Sequence, residues 1–246
     1  MVQDRGDATQ SPTVLTPTVG ASYRNGWRQV WKYFLKLFLI GIIGFVISIL
    51  FGIFDVSGDL KIVLYVLGFI YGFLVVGPIE YGVSFACLKA ARGDKLKIGN
   101  MFEAFRSYWN SVLANLLVGA IGMVGFSLLV IPGIIFMCKL AFTPYLIVDR
   151  RMPVIEAVKE SWRMTNGHAW TVFFIGLAAI FIMVIPISIA VLITFVAPMG
   201  TAFNTSSGIV WLIWFVVGVI PVAIGTMWVN VTFASLYHAV SVSGEV

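Results

Sequence analysis

Long apolar runs alternate with short charged stretches along almost the whole chain. A hydrocarbon core about 30 Å thick needs roughly 20 apolar residues per helix. On that scale the sequence predicts six membrane spans, over about 34–54, 62–88, 112–131, 134–148, 170–195 and 209–238. The fourth is the shortest and would make only about 22 Å of helix, whereas the sixth, at about 45 Å, must tilt, bend at Pro221 or emerge. Pro78 is expected to kink the second span and Pro144 to break the fourth. Pro132-Gly133 leaves room for only a tight hairpin between the third and fourth.

The charged stretches carry a helical period of their own. Tyr23, Trp27, Val30, Trp31 and Phe34 are spaced for one face, beside Arg24, Arg28, Lys32 and Lys36. Asn100-x-x-Glu103 resembles a capping-box start. Behind it Phe102, Phe105, Trp109 and Val112 fall on one face, with Glu103, Arg106 and Asn110 off it. Between Asp149 and Gly167, Pro153 suits the first turn of a helix whose Ile155, Val158 and Trp162 share a face. Such helices are expected to lie in the membrane interface before the chain turns inward.

These stretches also repeat. Glu103-Ala104-x-Arg106-x-x-Trp109 recurs as Glu156-Ala157-x-Lys159-x-x-Trp162, and each leads into an apolar run closed by Ile-Pro, at Ile131-Pro132 and Ile185-Pro186. A weaker third copy starts at Arg24-x-x-Trp27, without the Glu-Ala. Two spans follow each copy, so the units would run parallel, not inverted. Convergence is the alternative, because any helix entering a membrane from its basic side favours bases and Trp. The pattern names Trp27, Arg106, Trp109, Arg150, Arg151, Lys159 and Trp162 as candidate interfacial anchors.

Composition agrees with a bilayer protein. Apolar residues make up 60% of the chain and charged residues 11%, against roughly 25% charged in soluble domains. The fold class expected is therefore all-α, a polytopic membrane helical bundle of about six spans plus interfacial amphipathic helices. The net charge of +5 then bears on topology and anionic phospholipid headgroups, not nucleic acid. Five Lys and Arg lie in the N-terminal segment up to Lys36, five between spans two and three, four between spans four and five, and only Lys61 in an opposite-side loop. The positive-inside rule puts both termini in the cytoplasm. Residues 1–20 read as a disordered cytoplasmic tail, 21–240 as the membrane domain and 241–246 as a C-terminal tail; no cleavable signal peptide is recognised.

Candidate chemistry is sparse. Glu80 and Lys139 are the ionisable residues deepest in spans, each about 14 Å from the basic end by helical rise. They could meet as a structural ion pair or as a polar centre for an ion or headgroup. Asn115 and Asn230 sit at comparable depth and could join them. Asp149-Arg150-Arg151, at a span exit, could pair with lipid phosphates or merely anchor topology. Gly68-x-x-x-Gly72 permits close helix approach without specifying a partner. Cys87, Cys138, His168 and His238 show no metal-ligand spacing, and no nucleophile elbow, zincin site, Walker loop or dinucleotide fingerprint is found. No catalytic residue, cofactor or metal is expected.

The run PIEYGVSFACLKAARGDKLKIGNMFEAF, from Pro78 to Phe105, resembles a prokaryotic integral membrane family classed as domain of unknown function 975. IPGIIFMCKLAFTPYLIVDRRMPVIEAVKESWRMTNGHAWTVF, from Ile131 to Phe173, resembles that family and also the membrane domain attached to some bacterial glycerophosphodiester phosphodiesterases. The resemblance spans Trp27 to His238. It implies a multi-pass helical protein of a prokaryotic cytoplasmic membrane and transfers no reaction or catalytic residue. The function expected is non-enzymatic: a scaffold that engages the lipid bilayer or a membrane protein partner. The alternative is a small transporter or lipid-handling protein with a polar site near Glu80 and Lys139.

Overall fold

The computed structural model describes residues 16–49, 60–200 and 214–243, and among these there are helices and turns but no strand. The architecture is an all-α polytopic bundle. Helix α1, Val19–Lys32, starts at the N-cap Thr18, and α2, Phe34–Ile49, follows a single turn residue. The two are bent by 91°. Helix α3, Leu60–Tyr71, continues through a π-helical turn, Gly72–Val76, into α4, Gly77–Arg92. A 3-10 helix, Ile98–Ser107, leads into α5, Tyr108–Leu128. Helices α6, Val130–Leu140, and α7, Thr143–Asp149, make one broken span, and α8, Val154–Met164, connects it to α9, Ala169–Gly200. A second π-helical turn, Trp214–Val219, opens into α10, Ile220–Ser243.

Among the described residues, five runs are long and apolar enough to cross a membrane: Ile62–Arg92, Ile98–Leu128, Ile131–Asp149, Ala169–Ile193 and Phe215–Ser243. Helix α2 is the sixth expected from the sequence. It is described over 16 residues, and the rest of the stretch 34–54 lies outside the described residues, as do the turn expected up to residue 59 and the N-terminal tail up to residue 15. Helix extends further at three places than the sequence indicated. The expected tail already turns helical at Val19, α9 runs to Gly200 into the expected loop, and α10 runs to Ser243.

Proline explains most interruptions. Pro78 and Pro221 each occupy the second position of an α-helix that follows a π-helical turn, so neither sits in an uninterrupted ladder. Pro78 has no N–H for the carbonyl of Leu74, four residues earlier. The Tyr108 hydroxyl donates to that carbonyl at 2.9 Å. Pro144 likewise starts α7 after the break at Ala141 and Phe142. There Ser161 of α8 closes the gap: its Oγ donates to the Lys139 carbonyl at 2.8 Å and accepts from the Phe142 N–H at 3.2 Å.

The α5–α6 hairpin turns elsewhere than expected. The extended residue is Leu129 (φ −169°, ψ 155°), and Pro132-Gly133 lies inside the first turn of α6, where a missing N–H costs nothing. The turn can be this tight because Gly125 and Gly133 face each other; a methyl on either would overlap the opposing helix.

The core sits at the end of the bundle that carries the basic connections. Leu88, Ala90, Met101, Leu146, Leu236 and Tyr237 are fully buried there. The 3-10 helix presses against α4 so closely that a Cβ on Gly82 would coincide with the Met101 carbonyl oxygen. Helix α3, the opposite halves of α5 and α9, and the π-helical turn before α10 leave large apolar side chains exposed, among them Tyr65, Phe69, Met123, Phe181 and Val216.

Candidate functional site

The polar cluster expected inside the membrane is not assembled. Lys139 lies near the end of α6 and donates to Asn166 Oδ1, with its ammonium 5.7 Å from the Trp162 ring centroid. Its long side chain reaches the polar connection instead of Glu80, as lysines near helix ends do. Glu80 is exposed and has no ion pair or side-chain hydrogen bond among the described residues. Asn115 packs on α5 against Gly77, one turn before Glu80 along α4, and lines an open groove of about 660 Å³ with Gly119, Gly122, Phe126 and Met137. Asn230 is half-buried on α10.

A different ion pair joins the spans. Arg92, at the end of α4, binds both oxygens of Asp149, at the end of α7, at 2.8 and 2.7 Å. The Tyr237 hydroxyl of α10 donates to Asp149 Oδ2 at 3.4 Å, and Arg150 also reaches that phenol. Tyr145 stacks on Tyr237 at 5.0 Å between centroids. The fork geometry of a guanidinium on a carboxylate suits this junction of three helices. So Asp149, read from the sequence with Arg150 and Arg151 as one headgroup cluster, is spent on an internal contact. What could have marked it was the placing of a single acid at a span exit otherwise lined by bases.

Helix α1 is held by polar contacts too. Asn25 Nδ2 donates to the Ala91 carbonyl at 3.1 Å and to Ser235 Oγ at 3.0 Å. Tyr33 donates to the Gly93 carbonyl at 2.8 Å and Lys36 to that of Leu96 at 2.9 Å, which fixes the bend between α1 and α2. Trp228 of α10 donates to the Tyr23 carbonyl at 3.1 Å and meets the rings of Tyr23 and Trp27 edge-on, each at 5.1 Å.

Of the candidate anchors, Trp27, Arg106, Lys159 and Trp162 fall on three short helical segments at this end, Trp109 lies in the first turn of α5, and Arg150 and Arg151 lie in the connection between α7 and α8. Each of the three segments faces the bundle in a similar way. Helix α1 buries Ser22, Asn25, Gly26, Gln29 and also Val30, which the sequence placed on the aromatic face; the 3-10 helix buries Asn100, Met101 and Ala104; α8 buries Ala157 and Ser161. Measured back from the repeated base, Ser22, Ala104 and Ala157 occupy one equivalent position and all three are fully enclosed. The aromatic residues of the repeat and Ile155 point away instead. Trp27, Trp31, Phe102, Phe105, Ile155 and Trp162 are all exposed, and Trp109 is 68% exposed.

Two details of the repeat depart from the sequence reading. Ile98–Ser107 is a 3-10 helix, in which residues three apart eclipse one another. Phe102, Phe105 and Tyr108 therefore form a ladder, at 6.1 and 5.9 Å between centroids, while Val112 is buried and does not share their face. Asn100 is not the N-cap residue. The helix begins three residues earlier than a cap there would require, so Asn100 Oδ1 reaches back to the Lys97 N–H at 2.9 Å. Glu103 then pairs with Arg106 at 2.8 Å and with Arg151 at 3.6 Å. In the second copy the ion pair joins Glu160 and Arg163, at 2.8 Å, and not the motif's Glu156 and Lys159. Hydrogen bonding to Glu160 holds the Arg163 guanidinium above its ordinary value.

Comparison with family models, curated proteins and solved structures returns no match.

Proposed function

We propose that this protein works without catalysis, as a multi-pass scaffold whose three short helical segments lie in the headgroup layer of one leaflet and organise lipid, or a membrane protein partner, around the bundle. One observation carries the reading: α1, the 3-10 helix and α8 turn mainly small and polar residues inward, with Val30 and Met101, and leave Trp27, Trp31, Phe102, Phe105 and Trp162 exposed. In water that arrangement would expose apolar surface at a cost of about 25 cal/mol per Å². In the interface it is favourable, because Trp and Phe sink to the acyl boundary while Arg and Lys stay with the phosphates. The excess of bases at this end argues for the cytoplasmic leaflet. Membership of the prokaryotic family resembled by Pro78–Phe105 belongs to the same proposal.

The test uses the full chain in proteoliposomes of phosphatidylcholine with phosphatidylglycerol, brominated at different acyl depths. Single-tryptophan versions retaining Trp27, Trp109 or Trp162 should be quenched most by bromines nearest the headgroup. Quenching by aqueous iodide as strong as that of free tryptophan, with none by bromolipid, would overturn the reading.

A second reading, a small transporter or lipid-handling protein, draws on the two π-helical turns. They precede Pro78 and Pro221 in adjacent spans, near Asn115 and Glu80 in the first case. Interrupted spans are where transporters place their sites. Water-accessible cysteines in mid-span positions of α4, α5 and α10 would favour it, and labelling confined to the helix ends would sink it.

A further inference from the structure

We infer that Arg106 and Arg151, held on either side of Glu103, form a receptor for the phosphodiester of an anionic phospholipid. The inference rests on the proposal that this end of the bundle faces a leaflet, and it adds a defined site and ligand class. Both arginines approach the same oxygen, Glu103 Oε1, at 2.8 Å and 3.6 Å. The longer contact is beyond a direct hydrogen bond. A guanidinium has five N–H donors, so most donors of the pair remain for another anion. The side chains are 68% and 60% exposed. Two arginines and one carboxylate leave one net positive charge, which a phosphodiester monoanion neutralises.

The backbone argues that the convergence is specified. Arg151 is the one non-glycine residue with positive φ among the described residues, at 51°. Residues other than Gly enter that region only against steric strain between Cβ and the backbone. The conformation follows the end of α7, where the Met152 N–H returns to the Leu146 carbonyl, and places Arg151 beside a carboxylate 48 positions earlier in the chain. Phe102 and Phe105 stand exposed on the same 3-10 helix. A free phosphate has no use for that apolar ladder, whereas the glycerol and upper acyl carbons of a lipid would lie against it. Charge complementarity and apolar surface together thus select a lipid over a soluble anion.

Full-length protein in phosphatidylcholine nanodiscs containing spin-labelled phosphatidylglycerol gives the test, read as the preference of the motionally restricted lipid for phosphatidylglycerol over phosphatidylcholine. Arg106→Gln and Arg151→Gln should each lower the preference, by about fivefold at most per arginine, and the double variant should approach parity. The charge-matched control Lys95→Gln should change it far less. Glu103→Gln should raise it, because it releases both guanidinium groups. That variant decides the matter even where the double arginine variant fails to fold: no rise overturns the inference. Inorganic phosphate at constant ionic strength should leave the preference intact, and its loss would assign the site to a soluble anion. Bromolipid quenching of Trp27 and Trp162 in the same variants separates the two failures. Absent lipid preference with quenching retained removes this receptor and leaves the scaffold reading standing.

Discussion

Along α3 and α4 the chain passes within a few turns from one kind of packing to another. Ile62 and Phe69 are 73% and 62% exposed, whereas Ile79, Leu88 and Ala90 are buried. The last span repeats the contrast, from exposed Phe215 and Val219 in its π-helical turn to buried Leu236 and Tyr237 in α10. Greater hydrophobicity cannot be the cause, since exposed α3 is the more apolar of the two and buried α4 carries Glu80, Lys89 and Arg92. The buried half differs in its small residues, Gly77, Gly82, Ala86, Ala90 and Ala91 along α4, and in its polar links, Asn25 to Ser235 and Arg92 to Asp149. Between acyl chains the hydrophobic effect gives helices little reason to associate, so close backbone approach and hydrogen bonds must do it. Cohesion is therefore concentrated at the basic end, and the two π-helical turns lie where the packing changes.

The strongest way to break the contrast is Gly82→Ala. Its Cβ would meet the Met101 backbone carbonyl, which cannot rotate away, so the 3-10 helix must lift off α4 at a cost of about 3 kcal/mol or more. Gly72→Ala, where a Cβ meets nothing within 4 Å, should be neutral or stabilising by up to about 1 kcal/mol. Thermal unfolding of the two variants in mild detergent, followed by size-exclusion fluorescence, compares the halves directly; equal losses would mean that the open half is packed after all. Next in size is Arg92→Gln, which leaves the Asp149 carboxylate largely desolvated and should cost about 2 kcal/mol. Asp149→Asn should cost a similar amount, and the double variant clearly less than the sum.

Much of this bundle could be read in the sequence, for a physical reason: a span is announced by a local average of hydropathy. The candidate site was less legible because its contacts are not local. Arg92 and Asp149 are 57 positions apart, and nothing in either neighbourhood marks the other as its partner. A period of three cannot be told from one of 3.6 over a single turn, so Phe102 and Phe105 fitted an α-helix; Tyr108 in place of Trp109 completes the actual ladder. The hairpin was placed at Pro132-Gly133 on turn chemistry, although proline is equally at home in a first helical turn. Glu80 and Lys139 had matched depths, but depth does not specify azimuth, and a lysine stem can travel toward the interface.

A smaller effect tests the boundary between the halves. Tyr108→Phe removes the donor to the Leu74 carbonyl at the π-helical turn before Pro78 and should cost about 1 kcal/mol. If the turn were held by its own backbone alone, the variant would melt with the parent protein.

The smallest expected quantity is a coupling, and it is informative because it should vanish. Lys139 donates to Asn166 and faces the Trp162 ring, while Glu80 stands without a partner on α4. Lys139→Met should cost no more than about 0.5 kcal/mol for this exposed contact. Glu80→Gln should stabilise the protein in lipid, since it removes a carboxylate that the bundle does not compensate. In a double-mutant cycle the two changes should add to within about 0.5 kcal/mol. A coupling above about 1 kcal/mol would mean that the residues meet in the membrane, and would move the polar centre from the basic end into the span. Additivity leaves Glu80 as an acid that adds nothing to cohesion, on α4 just past the π-helical turn where the packing changes.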